Sequence, residues 1–220
     1  TKTITFIDDM SIEIEIESFP EPVLSFDPAN HDLPVINITT DPANLWDSDI
    51  GIHVWGNNEN CFQHLEDWER EALFEYYDAG NNLAISRNVG IRIHGNWSRS
   101  YKQKSIRIYF DHFGDTNSID FDFLNSDPTS FERILLRTGR TPYHLTNSAL
   151  IDNLFLELGH LASRYNYNII YLNGEYRGIT TTRERIDDEF FEHTHGFDSA
   201  DYIYVKDGVI EHGDQNAWPD

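Results

Sequence analysis

Cysteine is nearly absent from this chain of 220 residues: Cys61 stands alone. With one thiol there is no intrachain disulfide and no cysteine-based zinc cluster, and such a residue reads as a small buried or half-buried apolar group. Long apolar runs are missing too. Nothing approaches the ~18 consecutive residues of a membrane helix, and the first residues lack a basic-then-apolar export segment, so membrane insertion is not expected and any export signal would have been removed upstream. Basic residues are scarce, 16 Lys and Arg against 38 Asp and Glu, for a formal net charge of -22. Such a field repels nucleic-acid backbones and anionic lipid, so nucleic acid is not an expected partner. The same surface suits recruitment of divalent cations, a saline habitat or plain solvation. No HExxH and no GxSxG pattern occurs, which argues against a zinc-protease site and against nucleophilic hydrolysis.

Hydrophobic residues make up 39% of the chain and aromatics 14%, enough to bury a core as one large or two small domains. Thr1 to Phe6 and Ser11 to Glu17 alternate in period two and predict a half-exposed hairpin. Three prolines, Pro20, Pro22 and Pro28, then mark a connector, which places a boundary near residue 32. Strand patterns follow at 34–39, 51–55, 72–77, 83–86, 89–94, 105–110 and 133–137, with connections too short for helical crossovers. Leu150, Ile151, Leu154, Phe155, Leu158 and Leu161 recur at three- and four-residue steps after the candidate caps Thr146 and Asn147, predicting one helix whose apolar stripe packs on the sheet. Asn173-Gly174, between 167–172 and 176–182, has the sequence of a type I′ hairpin turn, and Asp207-Gly208 repeats the pattern between 202–206 and 209–212. A short acidic helix is expected over 186–194. These elements give an α+β class, a mainly antiparallel sheet carrying one long packed helix.

The richest stretch runs from Val89 to Phe110, where two alternating strands flank a turn holding Gly95, Ser98, Arg99, Lys102 and Lys104. A small-residue turn lets backbone N–H groups approach an anion, and a lysine on the next strand reaches back to it. Alternation puts Lys104 with Ile106 and Ile108, and Ser105, Arg107 and Tyr109 on the other face. An ammonium on an apolar face needs a counter-charge or an anionic ligand, unless it snorkels at the strand start. Glu184, in Arg183-Glu184-Arg185-Ile186-Asp187, is the candidate counter-charge; the alternative is a solvated surface network. Ten histidines invite a metal site, and His193-Thr-His195 is the densest group, but an i, i+2 pair at a helix end lacks a strong ligand spacing. The tryptophans Trp46, Trp55, Trp68, Trp97 and Trp218 read as core or seam residues, with sugar stacking as the secondary idea.

Several segments in order resemble the CotH-type spore-coat kinase family: Leu33 to Leu45, Trp68-Glu-Arg70, Val89-Gly-Ile-Arg-Ile-His-Gly95, Ser98-Arg99, Gln103-Lys-Ser-Ile-Arg-Ile108, Leu135-Leu-Arg-Thr-Gly139, Tyr171 to Gly178 and Arg183-Glu-Arg-Ile-Asp187. The resemblance covers about residues 33–206. It implies a distantly protein-kinase-like fold, N-lobe and start of C-lobe, over 33–220, preceded by the hairpin and connector of 1–32. It also implies binding of ATP with Mg²⁺ or Mn²⁺, phosphorylation of Ser or Thr on protein partners, and an extracellular or cell-surface location. By the same resemblance Lys104 would hold the phosphates, with Glu184 as its partner, and the Gly95, Ser98 and Arg99 turn would face them. Tyr204 and Lys206 lie in a strand similar to the one that borders the adenine pocket. The family's Arg-Asp pair at the helix start reads Asn147-Ser148 here. Its downstream metal-binding carboxylates have no counterpart before Asp220, so the domain is expected to be incomplete at its C-terminal end. The competing function is a non-catalytic surface or adhesion module of an exported multidomain protein.

Overall fold

The computed structural model describes residues 2–4, 14–16, 26–114, 117–125, 130–139, 142–206, 208–214 and 216. The N-terminal hairpin pairs β1 (Lys2–Ile4) with β2 (Ile14–Ile16) antiparallel, Lys2 opposite Ile16. The connector expected from Phe19 lies partly outside the described residues. Its visible end packs on the main body, where Phe26 meets the rings of Tyr77 and Tyr171 edge-on at 5.5 and 5.2 Å.

That body is built from β3 (Val35–Thr39), the short helix α1 (Pro42–Trp46), β4 (Arg70–Tyr77), β5 (Leu83–His94), β6 (Ser105–Tyr109) and the minor pair β7 (Ile119–Asp120) and β8 (Ser130–Phe131). It continues with β9 (Arg133–Arg137), α2 (Pro142–Glu157), β10 (Tyr165–Leu172) and β11 (Glu175–Arg183), and ends on the hairpin β12 (Tyr204–Lys206) and β13 (Val209–His212). Seven of these strands close into a barrel in the order β10-β11-β9-β6-β5-β4-β3. Every neighbouring pair in it is antiparallel except β3 with β10, which run parallel, Val35 opposite Ile169.

The α+β, kinase-like arrangement expected above is therefore corrected to a closed barrel. The parallel β3–β10 pair joins segments about 130 residues apart, and local alternation carries no signal for such a pairing. The helix differs as well. Leu150, Ile151, Leu154, Phe155, Leu158 and Leu161 are 45–71% exposed, so the stripe expected to pack on a sheet faces outward, while Ala149 is buried on the opposite side. The helix also starts earlier than the caps Thr146 and Asn147 suggest, since Pro142 occupies the first helical position, where its missing N–H is no loss. The strand expected at 51–55 is a turn tied to α1, with Ile52 N donating to Asn44 O and His53 N to Leu45 O. The segments 83–86 and 89–94 are one strand of 12 residues. The acidic segment holds a single π-helical turn, Phe190–Thr194.

Strand parity sorts the barrel into two faces. Ile93, Ile106 and Leu136 form one cross-strand row, and Ile91, Ile108 and Ile134 the next. All six belong to the main core with Ile36, Ile38, Phe74 and Phe110. Phe123 packs among Phe74, Phe110 and Phe131 with ring centroids 5.8–6.2 Å apart. The β10–β11 turn matches its sequence: Asn173 and Gly174 have φ of 52° and 75°, the paired left-handed conformation of a type I′ turn.

Candidate functional site

On the outer face of β5, β6, β9 and β11 the same parity gathers cations. Arg92 lies opposite Arg107, and His94 opposite Ser105. Arg107 pairs with Leu135 on β9, Leu135 with Arg183 on β11, and Arg137 with Thr181. A chain with more than twice as many acidic as basic residues thus places five arginines, Arg92, Arg107, Arg133, Arg137 and Arg183, on four adjoining strands. Three of them are answered locally: Arg92 Nε lies 2.9 Å from Glu69 Oε2, Arg133 Nε 3.1 Å from Glu189 Oε2, and Arg183 Nη1 3.0 Å from Asp152 Oδ2 on α2. Arg107 and Arg137 have no carboxylate within ion-pair distance among the described residues.

A cavity of about 410 Å³ opens over this face, within the ordinary size of small-molecule sites. The sheet contributes His94, Ser105, Arg137, Thr181 and Arg183 to its wall. The turn after β5 contributes Gly95, Ser98 and Tyr101, the segment after β9 contributes Thr138 and Gly139, and the start of α2 contributes His144, Leu145 and Ser148. Burial, followed by the charges of Arg107, Arg185, Arg99 and Lys206, holds the His94 imidazole down to about 3. The ring is therefore neutral near pH 7. Since a guanidinium only donates, His94 Nδ1 accepts from Arg107 Nη2 at 2.7 Å, and the ring's remaining proton sits on Nε2.

The turn itself is pinned by cations from within. Arg99 is buried and donates from Nε to Gly95 O at 2.5 Å, from Nη1 to Cys61 O at 3.0 Å and Gln63 O at 2.8 Å, and from Nη2 to His64 Nδ1 at 3.0 Å. Lys104 Nζ donates to Arg99 O at 2.5 Å and Tyr101 O at 2.8 Å. Arg99 N donates to Asn96 O, Tyr101 N to Ser98 O and Ser100 Oγ to Trp97 O. Carbonyls throughout the turn are thereby engaged by the protein's own donors, two of them cationic, which fixes the turn's shape at the cavity edge. Gly95 has φ of +118°, and a side chain there would press on Ser98 Oγ, so the position requires glycine.

The residues singled out from the sequence fall into three groups. Gly95 and Ser98 are in the cavity wall, and Arg99 and Lys206 lie close enough to His94 to shift its proton equilibrium. Lys104 is buried but on the other side of β6: parity turns it toward the barrel interior, where it borders a small crevice with His53, Ile106, Leu172 and Arg177. Burial lowers its pKa. Lys104 and Glu184 form no ion pair. Glu184 instead takes Arg164 at 2.7 Å and accepts from Thr194 Oγ1 at 2.7 Å. Tyr204 packs against Phe191 at 5.3 Å in the β12–β13 hairpin. Sequence reasoning missed His94, Arg137, Thr181 and Arg183. The available signal was the face opposite Ile106 and Ile108, on which Ser105 and Arg107 already stood.

The aromatic side chains did not all become core. Trp97 is 76% exposed at the outer edge of the turn, and Phe62 links it to Trp55 through ring contacts at 6.5 and 5.1 Å. Among the described residues no three His, Cys, Asp or Glu side chains converge to hold a metal ion. Among them, no helix is long and apolar enough to cross a membrane. A comparison with curated proteins returns no match. The family model described as CotH kinase protein matches residues 91–219, which takes in every residue of the cavity wall. A match over more than half the chain shows its membership: the chain belongs to the CotH kinase protein family.

Proposed function

We propose that this domain binds ATP through its phosphates in the outer-face cavity and takes part in phosphoryl transfer to Ser or Thr of a protein partner, at the cell surface. The observation that carries the reading is the concentration of positive charge around one cavity of a strongly acidic protein, inside the segment matched by the family. A buried arginine, Arg183, and an exposed one, Arg137, in the same wall favour a polyanion, and transfer of a phosphoryl group is catalysed mainly by positioning and charge stabilisation. Arg137, Arg183, Ser98 and the Gly95 turn would hold the phosphates. Lys104 would act through the turn whose carbonyls it binds, and Glu184 through the segment that carries Arg183. No described cluster of carboxylates fits a resident cation, so Mg²⁺ or Mn²⁺ enters only as the ion that accompanies the nucleotide. Calorimetric titration with Mg·ATP tests the reading directly: saturable binding, weakened by Arg137→Ala, is expected, and no heat of binding at millimolar nucleotide would overturn it.

A second reading, the non-catalytic binding module, draws on the exposed Trp55, Phe62 and Trp97 ridge beside the turn. It expects no nucleotide affinity, with attachment to a protein or glycan surface lost on Trp97→Ala.

A further inference from the structure

One wall of the cavity holds polar atoms that the fold leaves unanswered. Arg183 is 4% exposed. Its Nη1 faces Asp152, and its charge sits 5.6 Å from the ring centroid of Tyr165. Its Nε and Nη2 are buried without an acceptor. Thr181 is 0% exposed, and its Oγ1 also lacks a partner. Both residues line the cavity, and Thr181 lies directly opposite Arg137 in the β9–β11 register. Buried donors are normally satisfied, and one left open beside a void marks where something else supplies the acceptor.

The identity of the two free nitrogens narrows what that something is. Nε and Nη2 form the side-on edge of the guanidinium, whose two N–H bonds point the same way and grip two oxygens of one oxyanion. Asp152 takes the remaining nitrogen, so it orients the fork without filling it. A second cation, Arg137, stands across from Thr181 with no carboxylate of its own among the described residues. A fork, a hydroxyl and a second arginine together suit a group with three or more acceptor oxygens and more than one negative charge, which is a phosphoryl group rather than a carboxylate.

We infer that the Arg183 fork, Thr181 Oγ1 and Arg137 form the phosphoryl-binding end of the cavity, on the face of β6 opposite Lys104. The inference rests on the nucleotide reading above and goes beyond it by naming the residues that hold the phosphoryl oxygens. Asp152 is a positioning residue, acting only through Arg183.

Inorganic pyrophosphate and Mg·ATP, each titrated into the chain and into two variants, test it. Arg183→Lys keeps the charge and removes the fork, and is expected to weaken both ligands about 10- to 100-fold, the range for a lost charge-assisted bidentate contact. Thr181→Val removes one hydroxyl at nearly constant volume. It is expected to weaken both ligands several-fold while leaving thermal stability equal or higher, because an unanswered buried hydroxyl goes with it. Should Arg183→Lys fail to fold, Thr181→Val alone carries the test. If the chain binds ATP and both variants bind it like the parent, the donors serve buried water only, and the inference falls while the nucleotide reading stands. It falls in the same way if ATP binds and pyrophosphate does not, since the base then holds the nucleotide. If neither ligand binds the parent chain, both fall.

Discussion

Replacing Arg99 sets two effects against each other, and their balance predicts an unusual order of severity. The guanidinium answers three carbonyls and one imidazole, and the bond to Cys61 O is fully buried. Stranding these acceptors costs about 1–3 kcal/mol for the buried one and less for each part-buried one, on the order of 4 kcal/mol together. Against that stands the charge itself. Burial, followed by the charge of Arg107, pushes Arg99 down to about 10 from 12.5, so the buried charge carries a cost that a neutral residue would recover, on the order of 1–2 kcal/mol once solvent screening is allowed for. Arg99→Met loses the bonds but recovers that penalty, for a net loss of about 1–3 kcal/mol. Arg99→Lys keeps a buried charge and reaches fewer acceptors, for a loss of about 3–5 kcal/mol. Urea denaturation at pH 7 measures both, with the transition midpoint as the readout and an unchanged slope as the control for two-state behaviour. A lysine variant as stable as the parent, or milder than the methionine variant, would refute the reasoning that Arg99 acts as a multidentate bolt.

Acid should destabilise the domain through its buried histidines. His94 is held down to about 3, and His53 to about 4 by burial and the charges of Lys104 and Arg177, so below pH ~6.5 the unfolded chain binds protons that the folded one refuses. Each contributes up to about 1.4 kcal/mol of lost stability per pH unit between ~6 and ~4. Asp187 and Glu189, raised by burial, take protons in the folded state first and offset part of the loss. Urea midpoints at pH 7, 5.5 and 4.5 should fall, and His53→Gln should flatten the slope; a rising midpoint would contradict this. Leu154→Glu, on the outward stripe of α2, should change stability by no more than about 0.5 kcal/mol in thermal melts, whereas a loss above ~2 kcal/mol would mean the stripe is covered. Asp152→Asn strands the buried Arg183 charge and should cost about 3 kcal/mol. Pyrophosphate should stabilise this variant less than the parent, because the fork has lost the carboxylate that orients it, and equal shifts in a thermal assay would argue against a shared Arg183.

What was legible in the sequence divides along a physical line. Hairpins were readable because a two-residue turn and its flanking strands are local: Asn173-Gly174 demanded positive φ at both positions, and the chain supplies it. Parity was readable too, and it correctly set Lys104 on the face of Ile106 and Ile108. What parity could not say is which face meets the cavity. In an open sheet the inward side is where a ligand-binding lysine is sought. In a closed barrel that side is packed core, and the cavity opens behind it under α2. Closure depends on β3 meeting β10, a pairing set by long-range geometry alone. The α2 stripe misled for a related reason: it is apolar on both faces, and periodicity alone does not rank a face led by Ala149 below one carrying Leu154 and Phe155.

The most direct test of the account is a crystal structure of the chain soaked or grown with Mg²⁺ and a non-hydrolysable ATP analogue. The account predicts phosphate oxygens within roughly 3 Å of Arg183 Nε and Nη2 and close to Arg137, on the outer face of the barrel. Phosphates seated instead beside Lys104 at the barrel end, or a cavity that stays empty at saturating analogue, would contradict it.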